Sequence, residues 1–137
     1  MQKTIPTWVT VVSSLIAALG LFVGGSLYIS PGTFIPGINF ADPGPAYLAE
    51  MWAARQVAIG AVVAYALFRR SSPMLRISLL VYCIMNVQDA GIGLFNGNMS
   101  LFAGALFFTV LSATLMFVLS RAARGEAGDT RGGEQRP

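Results

Sequence analysis

Two acidic residues and one arginine lie well inside, and not at the ends of, stretches that are otherwise apolar enough to cross a membrane. Glu50 and Arg55 belong to the run at about residues 47–68, and Asp89 belongs to the run at about residues 74–95. Ionisable groups in a hydrocarbon core are costly and usually functional. A carboxylate there can act as a general acid or base, and an arginine can orient a carboxylate or polarise an oxygen. Glu50, Asp89 and Arg55 are therefore the candidate catalytic residues.

Polar and aromatic side chains share helix faces with these charges. Tyr82, Asn86, Asp89 and Gly93 follow a spacing of i, i+4, i+7 and i+11, which places them on one face of a helix. Lipid cannot satisfy such a face, so we expect it to point into a helix bundle. The candidate ligand-binding residues on the two segments are Trp52, Gln56, Tyr82 and Asn86.

The composition is that of a membrane protein. Of 137 residues, 55% are hydrophobic and only 11% are charged, whereas a soluble domain carries about 25% charged residues. The basic residues cluster beside apolar runs, so they indicate membrane topology and not nucleic-acid binding. The chain has no histidine and one cysteine, Cys83, so the usual ligands of zinc, haem and di-iron sites are missing, and we expect no metal and no cofactor.

Four apolar segments are each long enough to cross about 30 Å of hydrocarbon. They predict an all-α, antiparallel bundle of four transmembrane helices forming a single domain over residues 1–120. Residues 121–137 lack an apolar run and are expected to form a disordered cytoplasmic tail. The first segment is too long for the apolar core of a signal peptide, so we interpret it as a retained helix. The four helices are expected at about residues 7–29, 47–68, 74–95 and 101–120.

Basic residues predict the orientation. They lie before the first segment, around the second connection and after the fourth segment, whereas the first and third connections contain none. The positive-inside rule then places both termini in the cytoplasm, in an inner or plasma membrane. The first connection, residues 30–46, faces outward and is rich in proline and glycine, so we expect neither helix nor strand there. It serves either as a lid over a cavity or as an interfacial anchor.

Depth suggests a pairing of the buried charges. At a rise of about 1.5 Å per residue, Arg55 lies about 12 Å and Asp89 about 9 Å below the outer surface. The short second connection makes their helices antiparallel neighbours, as the short third connection does for the third and fourth helices. An ion pair between Arg55 and Asp89 would offset two large burial costs. Glu50 lies nearer the outer mouth, where water can reach it.

Smaller signals concern packing and helix ends. Gly20 and Gly24 are spaced to let two helices approach closely, either within the subunit, which we favour, or between subunits. Pro73 suits the first turn of the third helix. In the third connection, Gly97 tolerates positive φ and Ser100 is a plausible N-cap. Isolated hydroxyls such as Thr109, Ser112 and Thr114 can bond to their own helix carbonyls.

The order of these features resembles the DoxX-like family of small four-helix integral membrane proteins. The matching pieces are Ser30-Pro-Gly-Thr-Phe34, Arg55-Gln-Val-Ala-Ile-Gly60 and Asn86-Val-Gln-Asp89, over about residues 8–120. The resemblance implies an accessory or redox-associated membrane protein. Members working with thiol or quinone chemistry would want more cysteines than Cys83, which weakens a redox role here.

Several functions remain open. The first is a protein with a polar intrabundle site that binds or converts a lipophilic small molecule by acid/base chemistry, as an isomerase, epoxide hydrolase or cyclase would. The alternative is a non-catalytic accessory subunit of a membrane complex, in which Arg55 and Asp89 form a structural ion pair. A homodimeric transporter is disfavoured because the first helix carries no acidic residue. The expected partners are the lipid bilayer, a lipophilic small molecule, and a second copy or another membrane protein.

The predicted ion pair can be tested by a double mutant. If its role is structural, Asp89→Asn should lower the yield and the melting temperature in detergent, because a buried arginine loses its partner. The double variant Arg55→Met/Asp89→Leu should then restore both. A double variant that also folded and functioned normally would rule out catalytic roles for both residues.

Overall fold

The computed structural model describes residues 5–34 and 39–133, with side chains except at residues 34 and 123–133. Within these ranges all regular secondary structure is helical, which confirms the all-α fold class. Four of the described helices are long and apolar enough to cross a membrane, over Thr7–Ile29, Pro43–Phe68, Ser72–Phe95 and Met99–Ala122. The helices are α1 Thr7–Ile29, α2 Pro31–Phe34, α3 Pro43–Phe68, α4 Ser72–Phe95 and α5 Met99–Gly133.

The chain divides into two compact units. Residues 6–69 form the first unit, which contains α1, α2 and α3, and the second unit begins at Arg70 and contains α4 and α5. Each unit is built on one pair of long helices, α1 with α3 and α4 with α5. Large apolar side chains remain exposed on the outer faces, among them Phe22 at 66% and Phe107 at 62%. Faces of this kind suit contact with lipid and not with water.

The α1–α3 pair is held by close contact between helix backbones. A Cβ atom at Gly24 would lie 2.7 Å from Val57 Cγ2 and 2.9 Å from the carbonyl oxygen of Ala53. On the opposite helix, a Cβ at Gly60 would lie 3.0 Å from the carbonyl oxygen of Ala17. Gly24 thus lies beside Ala53 and Val57, and Ala17 lies beside Gly60. A later residue of α1 meets an earlier residue of α3, so the two helices run antiparallel. Internal packing of the small residues on α1 is therefore confirmed.

The connection between α1 and α3 contains more helix than the sequence indicated. The prediction of neither helix nor strand was wrong for α2 at Pro31–Phe34 and for the start of α3, which lies at Pro43 and not near residue 47. Proline fits the first turn of a helix because its missing N–H group has no partner there anyway. Pro31 and Pro43 thus open helices. Residues 35–38, which carry part of the predicted lid, lie outside the described residues.

Just before α3, a side-chain turn leads the chain into the helix. The Asn39 side chain accepts a hydrogen bond from the Ala41 backbone N–H at 3.2 Å and donates one to Asp42 Oδ2 at 3.3 Å. Asp42 precedes the first helical residue and has extended backbone angles, φ −78° and ψ 135°. A residue with these angles at the N-cap position is typical of a helix start. The Asn39 turn thus leads directly into α3, which begins without a capping hydrogen bond from the Asp42 side chain.

The α4–α5 pair is packed by large aliphatic side chains. Leu75, Leu79 and Leu115 are completely buried, and Leu119 is 2% exposed. The Cys83 thiol lies 3.8 Å from the Thr109 carbonyl oxygen, and a Cβ added at Gly93 would lie 2.7 Å from the Phe102 backbone nitrogen. The two contacts show that α4 and α5 are antiparallel, as the short connection predicted.

The turn between α4 and α5 satisfies the ends of both helices with three residues. The N–H of Asn98 bonds to the Gly93 carbonyl at 2.8 Å, and the N–H of Gly97 bonds to the Leu94 carbonyl at 3.2 Å. This is the Schellman pattern, and it requires the positive φ of 68° that Gly97 adopts. The prediction for Gly97 is confirmed.

The N-cap of α5 is not the residue that the sequence suggested. Ser100 was predicted, but it lies inside α5, which begins at Met99. Asn98 takes the role, since its Oδ1 accepts a hydrogen bond from the Leu101 N–H at 3.0 Å. Asparagine is as good an N-cap as serine, and the Schellman turn brings Asn98, not Ser100, to the first position. The end of α4 therefore determines the start of α5.

Local sequence features account for the start of α4 and bear on the end of α5. Ser71 caps α4 by accepting a bond from the Met74 N–H at 3.5 Å, and Pro73 lies in the first turn as predicted. Helical backbone in α5 continues to Gly133, beyond the predicted end near residue 120. Residues 121–124 are alanine and arginine, which are good helix formers, and residues 125–133 contain no proline but include four glycines, which are poor ones. The apolar span itself ends at Ala122, and disorder of the tail stays a prediction.

Two adjacent glycines of α1 provide a matched test of the close packing. Gly24→Ala should lower the free energy of unfolding by about 1–3 kcal/mol, because the new methyl group meets the α3 backbone. Gly25→Ala should be neutral or stabilising by up to about 1 kcal/mol, since nothing lies within 4 Å of a Cβ there. Denaturant titration of both variants in detergent measures the difference. Equal effects of the two substitutions would contradict the α1–α3 packing.

Candidate functional site

The predicted polar face of α4 is largely buried. Tyr82 and Asn86 are each 8% exposed, Gly93 is buried and Asp89 is half-buried. These residues lie on one side of α4 because their spacing follows the helical repeat. An apolar span thus carries a phenol, an amide and a carboxylate along three consecutive turns. We call Tyr82, Asn86 and Asp89 the α4 polar face.

Tyr82 is positioned by an aromatic contact with α5. Its ring and that of Phe108 are packed edge to face, with centroids 6.1 Å apart and planes at 70°. Phe108 in turn contacts the ring of Phe107 at 5.3 Å and 76°. Edge-to-face pairs of this kind add about 0.5–1.5 kcal/mol beyond the area they bury. The phenol of Tyr82 is therefore held in place by the second unit itself.

Asn86 is oriented by a hydrogen bond within α4, and Asp89 follows it on the same face. The Asn86 amide donates a hydrogen bond to the Tyr82 backbone carbonyl, one turn earlier, at 2.8 Å. This bond uses one of the two amide hydrogens and orients the side chain along the helix. Asp89 lies one turn beyond Asn86 on the same face of α4 and is half-buried. The α4 polar face thus has an amide oriented by its own helix and a carboxylate on the next turn.

The candidate residues of α3 belong to the first unit. Trp52, Arg55 and Gln56 are half-buried, whereas Glu50 is exposed. Glu50 lies seven residues after the start of α3, so it is about 10 Å along that helix. Arg55 and Asp89 each take part in a polar or electrostatic interaction. Because they lie in separately described units, the ion pair between them stays a prediction.

The hydroxyl groups of α4 and α5 are mostly satisfied within their own helices. Thr109 donates to the Ala105 carbonyl at 2.9 Å, Ser112 to the Phe108 carbonyl at 2.7 Å and Thr114 to the Val110 carbonyl at 2.8 Å. Ser78 does the same with the Met74 carbonyl at 2.8 Å. The expectation that such hydroxyls bond to their own backbone is confirmed. They need no external partner, so the polar atoms that distinguish the site are those of the α4 polar face.

One hydroxyl of the first unit differs. Ser13 is completely buried in α1, and its Oγ has no hydrogen-bond partner among the described residues. A buried hydroxyl without a partner costs about 1–3 kcal/mol. The structure offers no physical account of this serine.

The described residues contain no group of three or more His, Cys, Asp or Glu side chains placed to hold a metal ion. Cys83 is half-buried beside the Thr109 carbonyl, and the sequence contains no second cysteine. The side chains of the α4 polar face can instead donate and accept hydrogen bonds, and the Asp89 carboxylate can exchange a proton.

Phe108 is the site residue that the sequence did not reveal. It is one phenylalanine in an apolar run that also contains Phe102 and Phe107, and nothing in the pattern distinguishes it. Its importance comes from the register of α5 against α4, which the Schellman turn and the cap at Asn98 set. The useful signal was the length of the third connection, because that length fixes which residues of the two helices meet.

Comparison with protein-family models, with curated proteins and with solved structures finds no match. The resemblance to the DoxX-like family therefore rests on the short motifs alone and stays a prediction.

Proposed function

We propose that the protein is an integral membrane protein that binds a lipophilic small molecule through the α4 polar face. The observation that carries the proposal is the placement of a phenol, an amide and a carboxylate on three turns of an apolar helix. Such groups are expensive in a hydrocarbon environment and are usually retained for function. Binding sites for small molecules combine apolar walls with a few well-placed polar groups of this kind.

The chemistry of the face indicates the class of ligand. Tyr82 and Asn86 offer both a donor and an acceptor, and the carboxyl group of Asp89 adds further acceptor oxygens. A hydroxyl or carbonyl on an apolar skeleton, such as a long-chain or polycyclic alcohol or ketone, complements these groups. If the ligand is converted by isomerisation, epoxide opening or cyclisation, Asp89 is the member of the face that can move a proton. Arg55 and Glu50 are the further candidates for that chemistry.

The orientation is part of the proposal. Arg70 precedes the α4 span, Arg76 lies near its start and Arg121 lies at the end of the α5 span, whereas the turn at residues 96–98 contains no charge. We place the protein in an inner or plasma membrane. By the positive-inside rule, both of its termini then lie in the cytoplasm. The Asn96–Asn98 turn then faces outward, and Asp89 is nearer to that side than to the cytoplasm.

One observation favours a second function. Most described hydroxyls of α4 and α5 bond to carbonyl groups of their own helices, as in a structural bundle whose polar groups are already satisfied. Under this alternative the protein is an accessory subunit of a membrane complex, and the α4 polar face stabilises the fold. It would copurify with a stoichiometric membrane partner and would bind no lipophilic ligand when isolated.

Photolabelling separates the two functions. We expect a diazirine-bearing sixteen-carbon alcohol to label peptides of α4 and α5 saturably, and excess unlabelled alcohol to compete. Asn86→Leu should weaken labelling about fivefold to tenfold, because one hydrogen bond to the ligand is worth about 1–1.5 kcal/mol. Gln88→Leu is the matched control, since it removes the same amide from an exposed position of the same helix.

The labelling result is read with a melting curve of each variant in detergent. Labelling that does not saturate, or that falls equally in Gln88→Leu and Asn86→Leu, would contradict ligand binding at the α4 polar face. A large loss of melting temperature in Asn86→Leu with no saturable labelling of the unmodified protein would favour the accessory subunit.

A further inference from the structure

Three arginines lie at one end of the α4–α5 pair, and we call Arg70, Arg76 and Arg121 the basic end. Because α5 is antiparallel to α4, the close of its apolar span lies at the end where α4 begins. Arg70 and Arg121 are exposed and Arg76 is half-buried. The opposite end of the pair, the Asn96–Asn98 turn, carries no charged residue. The second unit is therefore strongly polarised along its length.

Within the two apolar spans of the second unit, little can neutralise these charges, and the next acidic residues in the sequence, Glu126 and Asp129, follow the end of the α5 span. Asp89 is the one acidic residue between positions 70 and 122, and it lies thirteen residues beyond Arg76, about 20 Å along α4. Among the described side chains, no hydrogen bond or ion pair involves the three arginines, and Arg76 Nε is buried without a partner. A guanidinium with a buried, unpaired N–H group is costly unless an anion lies close by.

The backbone at Arg70 points to a role for its charge. Arg70 follows the C-cap of α3 and adopts a φ of 48°, in the left-handed region. Glycine or asparagine is usual at this position, and another residue costs about 1–2 kcal/mol. A disfavoured backbone conformation at a charged residue is the kind of outlier from which a role for the side chain can be inferred.

We infer that the basic end binds the phosphate group of an anionic phospholipid. The apolar spans begin at Ser72 and end at Ala122, which places Arg70 and Arg121 at the level of the lipid headgroups. Helical side chains lean toward the helix N-terminus, so Arg76 reaches back to the same level. Guanidinium groups bind phosphate oxygens in a bidentate manner, which a lysine cannot reproduce.

A lipid fits better than a free phosphate ion because of the neighbouring surface. Ile77 and Leu80, on the second and third turns of α4, are 64% and 48% exposed. Acyl chains attached to the bound phosphate would lie along these side chains, whereas an inorganic ion would leave them uncovered. The inference concerns the basic end alone and is independent of any ligand at the α4 polar face.

The test measures lipid binding to the full-length protein in detergent by native mass spectrometry, with phosphatidylglycerol and phosphatidylcholine as probes. We expect retained phosphatidylglycerol adducts and weak binding of phosphatidylcholine. Arg70→Gln and Arg76→Gln should each weaken phosphatidylglycerol binding about fivefold, the loss expected for one arginine near an anionic lipid. Arg131→Gln, which makes the same charge change beyond the apolar span, should leave binding unaltered.

Three results would overturn the inference. They are equal binding of the two lipids, displacement of the lipid by inorganic phosphate at the same concentration, and an equal loss in Arg131→Gln. Circular dichroism establishes that each variant is folded. Should a glutamine variant fail to fold, Arg70→Lys and Arg76→Lys replace it, with weaker but still selective phosphatidylglycerol binding expected and indifference to the lipid headgroup contradicting the inference.

Discussion

A hydrocarbon environment that cannot accept hydrogen bonds is the constraint on which the rest of this structure depends. Backbone groups within an apolar span must be paired inside the span, which leaves helices as the solution for a chain of this kind. The same constraint explains why Thr109, Ser112 and Thr114 bond to carbonyls of their own helix. The side chains of the α4 polar face carry more polar atoms than their own helix can satisfy. These residues therefore stand out as candidates for a functional site.

The two helix pairs meet this constraint by different packing. In the first unit, Gly24 and Gly60 let α1 and α3 approach until backbone atoms touch, and dispersion between close backbones replaces bulky side chains. In the second unit, Leu79 and Leu115 fill the space between α4 and α5, and the Tyr82–Phe108 contact adds an aromatic layer. The α4 polar face thus lies on the helix pair that is packed by large side chains, whereas Arg55 and Gln56 belong to the closely packed α1–α3 pair.

Much of this architecture follows from the sequence, because apolar length and glycine spacing report directly on helices in lipid. The bounds of α1, the internal packing of Gly24 and the positive φ of Gly97 were all predictable. The start of α3 was not predictable, because proline is common both in loops and in the first turn of a helix. The N-cap at Asn98 was not predictable either, because the turn that ends α4 also determines which residue caps α5. For the candidate site, the burial of Tyr82 and Asn86 followed from their spacing, whereas Phe108 required the register of α5.

The proposed topology, in which four helices cross the membrane in alternation, is tested most directly by cysteine accessibility. In a Cys83→Ser background, single cysteines at Asn39, Ser71, Asn96 and Ala122 are exposed to a membrane-impermeant maleimide in intact cells. We predict labelling at positions 39 and 96 from outside, and labelling at positions 71 and 122 only after permeabilisation. Labelling of positions 96 and 122 from the same side would show that α5 does not span the membrane and would contradict the account.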